Sequence, residues 1–523
     1  MSYLTVGKRN LRTLLEQKVN TNPHKTFMVF EESDEITRLY SYSQFNAMVN
    51  KTANALLSLG IGKGDKINLH LTNCPEFLFL WFATAKIGAV MMPTNPLSPP
   101  DELRYPVDHS ESVITVTQPD LLHNIEAILP LCPNIRNVVL TRTNESKDDV
   151  IIFNELVDSQ SEELADIDLN PLDDAAIMYT SGTTSLPKGV MVTHANFVFL
   201  GEVLSKNMRM SPDDRYLVTL PLYHANAMYY MVTSSLMVGA SIALMPRFSA
   251  TRFMKQAIRY ECTLTSLFAA PMRMILAQPI DKHERQNSFR LVIFAQNVTD
   301  SQMNAWEDRF GDSLMQIYGM TETMGQPLTN PVDYTRDNMT MGLPTLPYEC
   351  KIVDSQGNEV TEGEAGELLV RGIPGWTIMK GYFKDPDATA RTIKDDWLWT
   401  GDIVEIDDAG YFRFVDRSKD MIKRSGENIA ASEVEDVIKG HPKVADVAVI
   451  GVPDEIRDES IKAFVILNAG KSSTADELID HCRSKLSKFR VPEEIEFCDE
   501  FPRTSVGKIQ KHILRQIDQD KRK

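Results

Sequence analysis

The segment Thr180–Gly189 reads TSGTTSLPKG and has the residue types of a phosphate-binding loop. It follows an apolar stretch at 174–179 that is typical of a buried strand. Small and hydroxylated residues let backbone N–H groups and hydroxyls approach phosphate oxygens, and Lys188 adds a positive charge that suits β- and γ-phosphates. Lys188 follows Pro187 and precedes Gly189, so the order does not match the P-loop pattern G-x-x-x-x-G-K-[ST]. A surface turn is the alternative for this composition.

A second segment, Tyr318–Thr323, reads YGMTET and combines groups that suit a purine and a metal ion. The ring of Tyr318 can stack on a purine, and Gly319 permits close approach of the backbone. Thr321 and Glu322 follow, and a carboxylate beside phosphates is what Mg²⁺ needs, since magnesium takes one or two protein oxygens together with phosphate and water. Taken alone, the segment also fits a surface turn.

Three further segments contain single charged or titratable groups in suggestive settings. Asp402 follows a glycine in the string WTGD, and Arg417 stands at the end of the next predicted strand. Lys508 lies in PRTSVGKI, where a cation could offset charge that develops on an α-phosphate. His224 closes the string PLYH. An ordinary turn aspartate, a solvated lysine and a core histidine are the alternatives.

Taken together, these strings resemble the motifs of the adenylate-forming superfamily, which includes acyl-CoA synthetases, peptide-synthetase adenylation domains and luciferases. T-S-G-T-T-x-x-P-K-G resembles its phosphate loop, Y-G-x-T-E its adenine and magnesium motif, W-x-x-T-G-D its ribose motif, and P-R-T-x-x-G-K its C-terminal lysine motif. They occur in family order across residues 174–509, and the resemblance covers nearly the whole chain. The chain is most similar to an AMP-forming acyl-CoA synthetase.

The resemblance implies a role for each candidate residue. The expected phosphate contacts are Thr180, Ser181, Gly182, Thr183, Thr184 and Lys188. Tyr318, Gly319 and Thr321 are expected at the adenine, and Glu322 at the metal ion. Asp402 and Arg417 are expected at the ribose, Lys419 at the pivot of the smaller domain, Gly426 on the thiol route, Lys508 at the adenylation step, and His224 near the acyl carboxylate.

The implied fold is α/β, with a large N-terminal domain (1–417) of α/β subdomains and a small β-barrel, followed by a smaller mobile α+β domain (418–523). The implied ligands are ATP, Mg²⁺ and coenzyme A. In the implied reaction, a carboxylate attacks the α-phosphate of ATP to give an acyl-adenylate and pyrophosphate. The thiol of coenzyme A then displaces AMP after the small domain has rotated, because the two transition states need different groups in contact.

The periodicity of the chain independently favours an α/β fold. An amphipathic helix is predicted over 11–19, a strand pair over 27–30 and 38–42, and a following helix with Ser43 as its cap. Short apolar strands then alternate with helices, which is typical of mostly parallel sheets. From about residue 340, short strands and turns predict a small barrel or a third sheet, and 430–523 predicts a compact α+β domain.

Composition limits the class of protein. A chain of 523 residues is longer than a single hydrophobic core supports, so two or more domains are expected. The net charge of −17 argues against a nucleic-acid partner. The six cysteines are scattered without C-x-x-C spacing, which favours a reducing, cytoplasmic location. The longest apolar stretch, 78–92, is too short to span a bilayer and contains Lys86. The oligomeric state is left open between monomer and homodimer.

Several strings resemble the crotonobetaine/carnitine–CoA ligase branch of the family: NCPEF (73–77), IPGWTI (373–378), YFKDPDATA (382–390) and RDESIKAFVILN (457–468). They predict crotonobetaine, carnitine or γ-butyrobetaine as the acid, with Tyr223, Tyr229 and Tyr230 as an aromatic cage for the quaternary ammonium. Ala225 and Asn226 offer no acidic partner. A medium-chain fatty or aryl acid, a non-catalytic nucleotide-binding regulator and a luciferase-like oxygenase are the alternatives.

Overall fold

The computed structural model describes residues 6–33, 36–145, 147–180, 186–295, 298–333, 335–360, 363–424, 427–454, 458–503 and 509–522. Within these residues the α-helices are α1 (Leu11–Thr21), α2 (Tyr42–Ser58), α3 (Pro75–Ile87), α4 (Pro100–His109), α5 (Leu122–Ile128), α6 (Phe153–Asp158), α7 (His194–Asn207), α8 (Ser234–Val238), α9 (Phe253–Arg259), α10 (Ala269–Leu276), α11 (Asp300–Phe310), α12 (Pro386–Thr392), α13 (Ala431–Lys439), α14 (Ala475–Arg483) and α15 (Lys511–Arg522). A π-helix covers Asn226–Thr233, and one of the short 3₁₀ turns covers Thr321–Thr323.

The strands of the first half are β1 (Thr26–Glu31), β2 (Thr37–Ser41), β3 (Lys66–Leu69), β4 (Val90–Pro93), β5 (Ser112–Thr117), β6 (Asn137–Leu140), β7 (Ile151–Ile152), β8 (Asp174–Thr180), β9 (Lys188–Thr193), β10 (Arg215–Val218), β11 (Ser241–Leu244), β12 (Leu264–Phe268) and β13 (Leu291–Ala295). Those of the second half are β14 (Leu314–Tyr318), β15 (Leu328–Thr329), β16 (Leu343–Pro344), β17 (Glu349–Val353), β18 (Gly366–Arg371), β19 (Gly381–Tyr382), β20 (Ile393–Lys394), β21 (Trp397–Ile406), β22 (Phe412–Arg417), β23 (Ile422–Arg424), β24 (Glu427–Ile429), β25 (Val444–Asp454), β26 (Asp458–Leu467) and β27 (Glu494–Phe497).

A nine-stranded sheet has the order β16-β15-β14-β13-β12-β10-β11-β1-β2. Its six central strands pair in parallel, and the edge pairs are antiparallel. Because parallel strands end at the same edge, the segments after β10 and β14, which contain His224 and Gly319, leave the sheet on one side. In open α/β sheets ligands bind at that carboxyl edge.

An eight-stranded sheet has the order β19-β9-β8-β4-β3-β5-β6-β7. Strands β8 and β9 flank the predicted phosphate loop and pair antiparallel, with Thr180 opposite Lys188. On the other side β9 pairs with β19, which places Tyr382 opposite Val190. The chain returns to this sheet after about 190 residues, so a remote segment covers the base of the loop.

The stretch predicted as a small barrel or third sheet forms a sheet of five strands. Its order is β17-β18-β21-β20, with β22 paired to β21. A fourth sheet near the C-terminus has the order β24-β23-β26-β25, with β27 paired to β26. Helices α13 and α14 cover it through Val434, Ile438, Leu478 and Cys482, which are all buried. The α+β arrangement of helices and strands predicted for 430–523 is therefore present.

By its internal contacts the chain divides into two compact units. The first holds most of residues 1–350 together with 370–398, and the second holds 351–369 together with 399–523. The predicted domain boundary at residue 417 stays a prediction. Within the described residues, no helix is long and apolar enough to cross a bilayer.

The core of the nine-stranded sheet lies under α9, α10 and α11. It is built from apolar side chains of these helices and of β10, β12 and β13, including Phe253, Met272, Trp306, Leu217 and Phe294. Trp306 and Phe294 are completely buried. Burying such a side chain contributes roughly 1.5–3 kcal/mol, so this layer supports the strands whose ends form the candidate site.

Helix α2 corrects one prediction. Ser43 was expected as its cap, but the helix begins at Tyr42 and Ser41 is the cap. The hydroxyl of Ser41 accepts a hydrogen bond from the N–H of Gln44, and the Gln44 side chain accepts one from the N–H of Ser41. This reciprocal pair needs a glutamine three residues after the cap, and that spacing selects Ser41.

Candidate active site

The base of the predicted phosphate loop is a two-stranded ribbon. Thr180 ends β8 and donates its hydroxyl to the carbonyl oxygen of Lys188, 3.4 Å away, at the start of β9. A Cβ at Gly189 would lie 2.8 Å from Cγ2 of Ile177, so the residue after Lys188 has no room for a side chain. The ribbon thus fixes the position of Lys188. Ser181, Gly182, Thr183 and Thr184 lie outside the described residues.

Tyr382 links this ribbon to the second predicted segment. The ammonium of Lys188 lies 4.8 Å from the centroid of the Tyr382 ring, in cation–π contact. The hydroxyl of Tyr382 donates a hydrogen bond to Oε1 of Glu322 at 3.0 Å. Burial, together with the charge of Glu322, raises the pKa of Tyr382 above its ordinary range, so the phenol stays protonated and remains a donor. One ring therefore contacts both the predicted phosphate lysine and the predicted metal carboxylate.

Glu322 lies on the 3₁₀ turn that follows β14, and only 6% of its surface is exposed. The N–H of Met320 donates to Thr323 Oγ1 at 3.1 Å, which tightens the turn. The carbonyl of Glu322 accepts from the N–H of Met379 at 2.9 Å, three residues before Tyr382. The turn is thus held by the same remote segment through both backbone and side chain. Thr321, also on this turn, is half-buried.

Tyr318 ends β14 and is buried, and Gly319 lies in a crowded place. A Cβ at Gly319 would overlap the carbonyl oxygen of Gly325 and the hydroxyl of Tyr230. That hydroxyl donates to the carbonyl of Gly325 at 3.3 Å. Glycine at 319 is required by this contact, which brings the predicted adenine motif against a predicted cage tyrosine.

His224 precedes the π-helix that contains Tyr229 and Tyr230. Its Nδ1 accepts the N–H of Asn226 at 3.2 Å, and its ring meets Phe268 edge-on at 5.7 Å between centroids. Wide π turns are rare and often occur at functional sites. Burial, followed by the charge of Glu322, raises the pKa of the Tyr229 phenol, so Tyr229 is neutral. Of the residues predicted as a cage, Tyr229 and Tyr230 are thus buried on this turn, whereas Tyr223 lies before it and is half-buried.

The ribose pair predicted from W-x-x-T-G-D lies in the second unit. Asp402 on β21 is opposite Arg417 on β22, and Arg417 Nε lies 2.5 Å from Asp402 Oδ1. Asp402 is almost fully buried, and its N–H donates to Thr400 Oγ1 at 3.1 Å. The N–H of Gly401 donates to Glu367 at 2.9 Å, and its φ of +73° requires glycine. The two predicted ribose residues are therefore brought together.

Lys419 follows two residues later in an exposed connector. Although the side chain reaches solvent, partial burial lowers its pKa to about 8, with Arg417 and Arg515 adding to the effect and Asp420 opposing it. Asp420 itself pairs with Arg515 at 2.8 Å. Gly426 and Lys508 lie outside the described residues, and their expected roles are taken up below.

The reasoning from motifs missed Tyr382 as a site residue. It stands in the string YFKDPDATA, which the branch resemblance treats as scaffold. The local sequence around a tyrosine does not indicate which distant carboxylate its hydroxyl will contact. The contacts of Tyr382 become visible only from the pairing of β19 with β9.

Two family models match the chain. The AMP-binding enzyme model matches residues 15–383, and the AMP-binding enzyme C-terminal domain model matches residues 433–508. Among curated proteins, the crotonobetaine/carnitine–CoA ligase of Citrobacter koseri is 38% identical over 98% of this chain and 99% of its own length. The enzyme of the same name from Proteus mirabilis is 38% identical over 97% of this chain and 99% of its own length.

Solved structures of similar fold also match nearly the whole chain. ATP-bound MatB from Rhodopseudomonas palustris has a TM-score of 0.88 at 28% identity, covering 98% of this chain and 100% of that one. The anthranilate CoA ligase AuaEII in complex with anthranoyl-AMP has a TM-score of 0.90 at 27% identity, covering 98% of each chain.

The chain belongs to the AMP-binding enzyme family. Within that family it is an adenylate-forming acid–CoA ligase, so the predicted enzyme class and the α/β fold with a smaller C-terminal domain are confirmed. The ligands of this enzyme class are ATP, coenzyme A and a small carboxylic acid.

Proposed function

We propose that the enzyme converts a small polar carboxylic acid of the betaine type, such as carnitine, crotonobetaine or γ-butyrobetaine, to its CoA thioester with formation of AMP and pyrophosphate. The relatives named above as crotonobetaine/carnitine–CoA ligases support this substrate class. So does the aromatic character of the turn after His224, where Tyr229 and Tyr230 are buried. Aromatic faces attract quaternary ammonium groups through their quadrupole.

The observation that carries the proposal is a set of buried polar atoms without partners in the described structure. Oδ1 of Asn226, Oη of Tyr229 and both amide atoms of Gln326 make no hydrogen bond to the described residues. Asn226 and Tyr229 share the π-helix with Tyr230, and Gln326 follows Gly325, whose carbonyl Tyr230 binds. Each such atom costs about 1–3 kcal/mol when left unpaired, so this region favours a polar acyl group over an alkyl chain.

The first half-reaction forms the acyl-adenylate. The acid carboxylate attacks the α-phosphate of ATP, an acyl–phosphate bond forms, and pyrophosphate leaves. We assign the offset of phosphate charge to Lys188 and, from the sequence motif, to the loop 180–189 and Lys508. Positioned cations stabilise charge that develops in a transition state, and such terms are typically the largest in catalysis.

Glu322 has the chemistry to hold Mg²⁺. Magnesium takes one or two carboxylates and completes its shell with phosphate oxygens and water, so one buried glutamate at the phosphate site is a sufficient protein donor. The bound ion would supply charge neutralisation at the leaving phosphates. The hydroxyl of Tyr382 orients the Glu322 carboxylate through its 3.0 Å hydrogen bond.

In the second half-reaction, the thiol of coenzyme A attacks the acyl carbon and AMP leaves. Following the family resemblance, we propose that Lys419 is the pivot of the smaller domain and that Gly426 then lies on the thiol route. Following the same resemblance, Asp402 and Arg417, which pair at 2.5 Å, are proposed to hold the ribose in both steps. A cytoplasmic location, a monomeric or dimeric state and the boundary at 417 remain part of this proposal.

An aryl acid is the second candidate. It is favoured by the similarity to the anthranilate CoA ligase and by the aromatic wall that Phe197 forms against Tyr229, with 5.9 Å between ring centroids.

Substrate profiling tests the proposal directly. The purified protein is incubated with ATP, Mg²⁺, coenzyme A and single acids: carnitine, crotonobetaine, γ-butyrobetaine, anthranilate, benzoate, octanoate and palmitate. AMP and the thioester are measured by mass spectrometry. The proposal requires AMP and a betainyl thioester, with a kcat/KM at least tenfold above that for octanoate. Preference for octanoate or an aryl acid would keep the reaction and overturn the substrate class, while ADP or an absence of product for every acid would overturn the ligase assignment.

A further inference from the structure

A cavity of about 370 Å³ opens at the carboxyl ends of β1 and β11, away from the residues assigned above. These strands pair in parallel, with Phe30 opposite Leu244, so Glu31 and the residues after Leu244 leave the sheet side by side. It is a second position on the edge where such sheets bind ligands. The volume falls in the range of small-molecule sites.

One wall of the cavity is a buried carboxylate whose charge is already balanced. Glu31 is 2% exposed and accepts from Arg252 Nη2 at 2.5 Å, Gln256 Nε2 at 2.6 Å and Tyr260 Oη at 2.8 Å. Arg259 lies 3.8 Å from its second oxygen. A buried carboxylate with two guanidinium partners does not repel an anion as a bare one would.

The neighbouring carboxylate is also paired. Glu32 accepts from both Nε and Nη2 of Arg38, at 2.7 and 3.0 Å, in a bidentate arrangement. Arg142 adds a second cation 4.0 Å away. The acidic residues of the cavity are therefore committed to partners within the protein.

Two other groups of the cavity wall, by contrast, are not committed to partners within the described structure. Arg247 follows the end of β11, is exposed, and makes no ion pair or hydrogen bond to any residue that the structure describes. Gln256 is 4% exposed, and although its Nε2 binds Glu31, its Oε1 has no partner among the described side chains and backbone. The cavity thus offers an uncommitted cation and a buried, uncommitted acceptor. The complementary ligand carries an anionic group and an N–H donor.

The rest of the wall adds a flat apolar surface and hydroxyls. Phe248 is half-buried and packs on Phe253 with its ring centroid 6.1 Å away, while Ser33 and Ser249 also line the cavity. A purine can lie against an exposed aromatic face, and its exocyclic amino group is an N–H donor. Its phosphate is the anion that a guanidinium binds best.

We propose that this cavity binds the phosphorylated end of an adenine nucleotide, with Arg247 on the phosphate, Gln256 Oε1 on the adenine amino group and Phe248 against the base. Two ligands of this enzyme class carry that chemistry. One is coenzyme A, whose 3′-phosphorylated nucleotide would anchor the cofactor away from its thiol, and this arm rests on the acid–CoA ligase activity. The other is a free adenine nucleotide acting as an effector.

The test uses the full-length enzyme with its main nucleotide site blocked by a stable acyl-adenylate analogue. Binding of 3′,5′-ADP, AMP, ATP and inorganic phosphate is measured by calorimetry on the wild type, Arg247→Ala and Lys255→Ala. Lys255 is exposed on α9 but does not line the cavity, so its variant removes the same charge as a matched control. Because Arg247 is exposed, its removal does not disturb the core.

Adenine nucleotide binding that weakens about tenfold or more in Arg247→Ala, and less than twofold in Lys255→Ala, supports the proposal, since Arg247 would lose a charge-assisted hydrogen bond to the phosphate and Lys255 would not. If 3′,5′-ADP binds and the KM for coenzyme A rises by a similar factor, the occupant is coenzyme A. If AMP or ATP binds and that KM is unchanged, the occupant is an effector. The proposal is overturned if no adenine nucleotide binds the blocked enzyme, if Arg247→Ala binds normally, or if inorganic phosphate binds as tightly as the nucleotides.

Discussion

The hydroxyl of Tyr382 lies 3.0 Å from Oε1 of Glu322, and the same ring lies under the ammonium of Lys188. The three residues come from β19, from the turn after β14 and from the start of β9. A phenol that orients a carboxylate matters most when that carboxylate must meet a metal ion and a phosphate together.

Tyr382→Phe removes only the hydrogen bond. We expect the apparent affinity for Mg²⁺–ATP to fall about tenfold, because a hydrogen bond to a charged group contributes about 1.5–3 kcal/mol. Pyrophosphate–ATP exchange at varied Mg²⁺ measures this step without coenzyme A. Tyr411→Phe, in the second unit, is the control. A magnesium dependence identical to that of the wild type would contradict the orienting role of Tyr382.

Gly319→Ala places a methyl group against the Gly325 carbonyl and the Tyr230 hydroxyl. Overpacking of this kind costs about 1–3 kcal/mol, and relief requires movement of Tyr230. We expect a lower unfolding temperature together with at least a tenfold loss of acyl-adenylate formation. Gly62→Ala is the matched control, because no atom lies within 4 Å of its added Cβ. A fully active Gly319→Ala enzyme would show that the contact leaves the site unaffected.

Lys508→Ala tests the role that the P-R-T-x-x-G-K motif assigns. We expect adenylation to fall by several orders of magnitude while supplied acyl-adenylate is still converted to thioester, because the charge that Lys508 offsets develops only in the first step. Each half-reaction is assayed separately by mass spectrometry. Lys471→Ala, an exposed lysine of the same unit, serves as control. Equal loss of both half-reactions would argue for a structural role.

Lys419→Pro tests the pivot. Proline fixes its own φ and restricts the residue before it, so a rotation about this position would be hindered. We expect adenylation to be retained and thioester formation to fall at least tenfold. Lys419→Ala removes the side chain but leaves the backbone free, and it should retain both activities. Normal overall turnover of the proline variant would remove Lys419 from the mechanism.

His194 predicts a pH dependence of stability. It is fully buried, its Nδ1 accepts the N–H of Leu11 at 3.3 Å, and burial lowers its pKa from 6.5 to about 4. The unfolded chain therefore binds more protons between these values, so stability is full above pH 6.5 and falls as the pH drops towards 4. At pH 5 the loss is about 2 kcal/mol.

Urea unfolding of the wild type and of His194→Asn at pH 7 and pH 5 measures this contribution. Asparagine retains an acceptor for Leu11 but does not titrate, so the variant should lose about 2 kcal/mol less on acidification. His283→Asn, at an exposed position, should behave as the wild type does. Equal losses in all three proteins would show that His194 does not carry the effect.

The sequence predicted the parts of this fold that depend on local pattern. The helix predicted over 11–19 lies within α1, and the strand pair predicted over 27–30 and 38–42 overlaps β1 and β2, because the period of apolar residues is a property of consecutive positions. The predicted cap of α2 was wrong by two residues, because the choice between Ser41 and Ser43 depends on which backbone N–H the Gln44 side chain can bind. The contacts of Tyr382 were not predictable, because they join segments more than 50 residues apart.

The π-helix at Asn226–Thr233 ties the placement of Tyr229 and Tyr230 to the number of residues in this turn. A π turn holds one residue more than an α turn needs, so deleting a single residue there would restore α geometry. The helix after the turn could keep its register, whereas the side chains within the turn would be redistributed around the helix axis. Tyr229 and Tyr230 would then leave their present surroundings, although neither residue had changed. Under the function proposed above, the choice of acid would depend on the number of residues between His224 and Ser234 as well as on their identity.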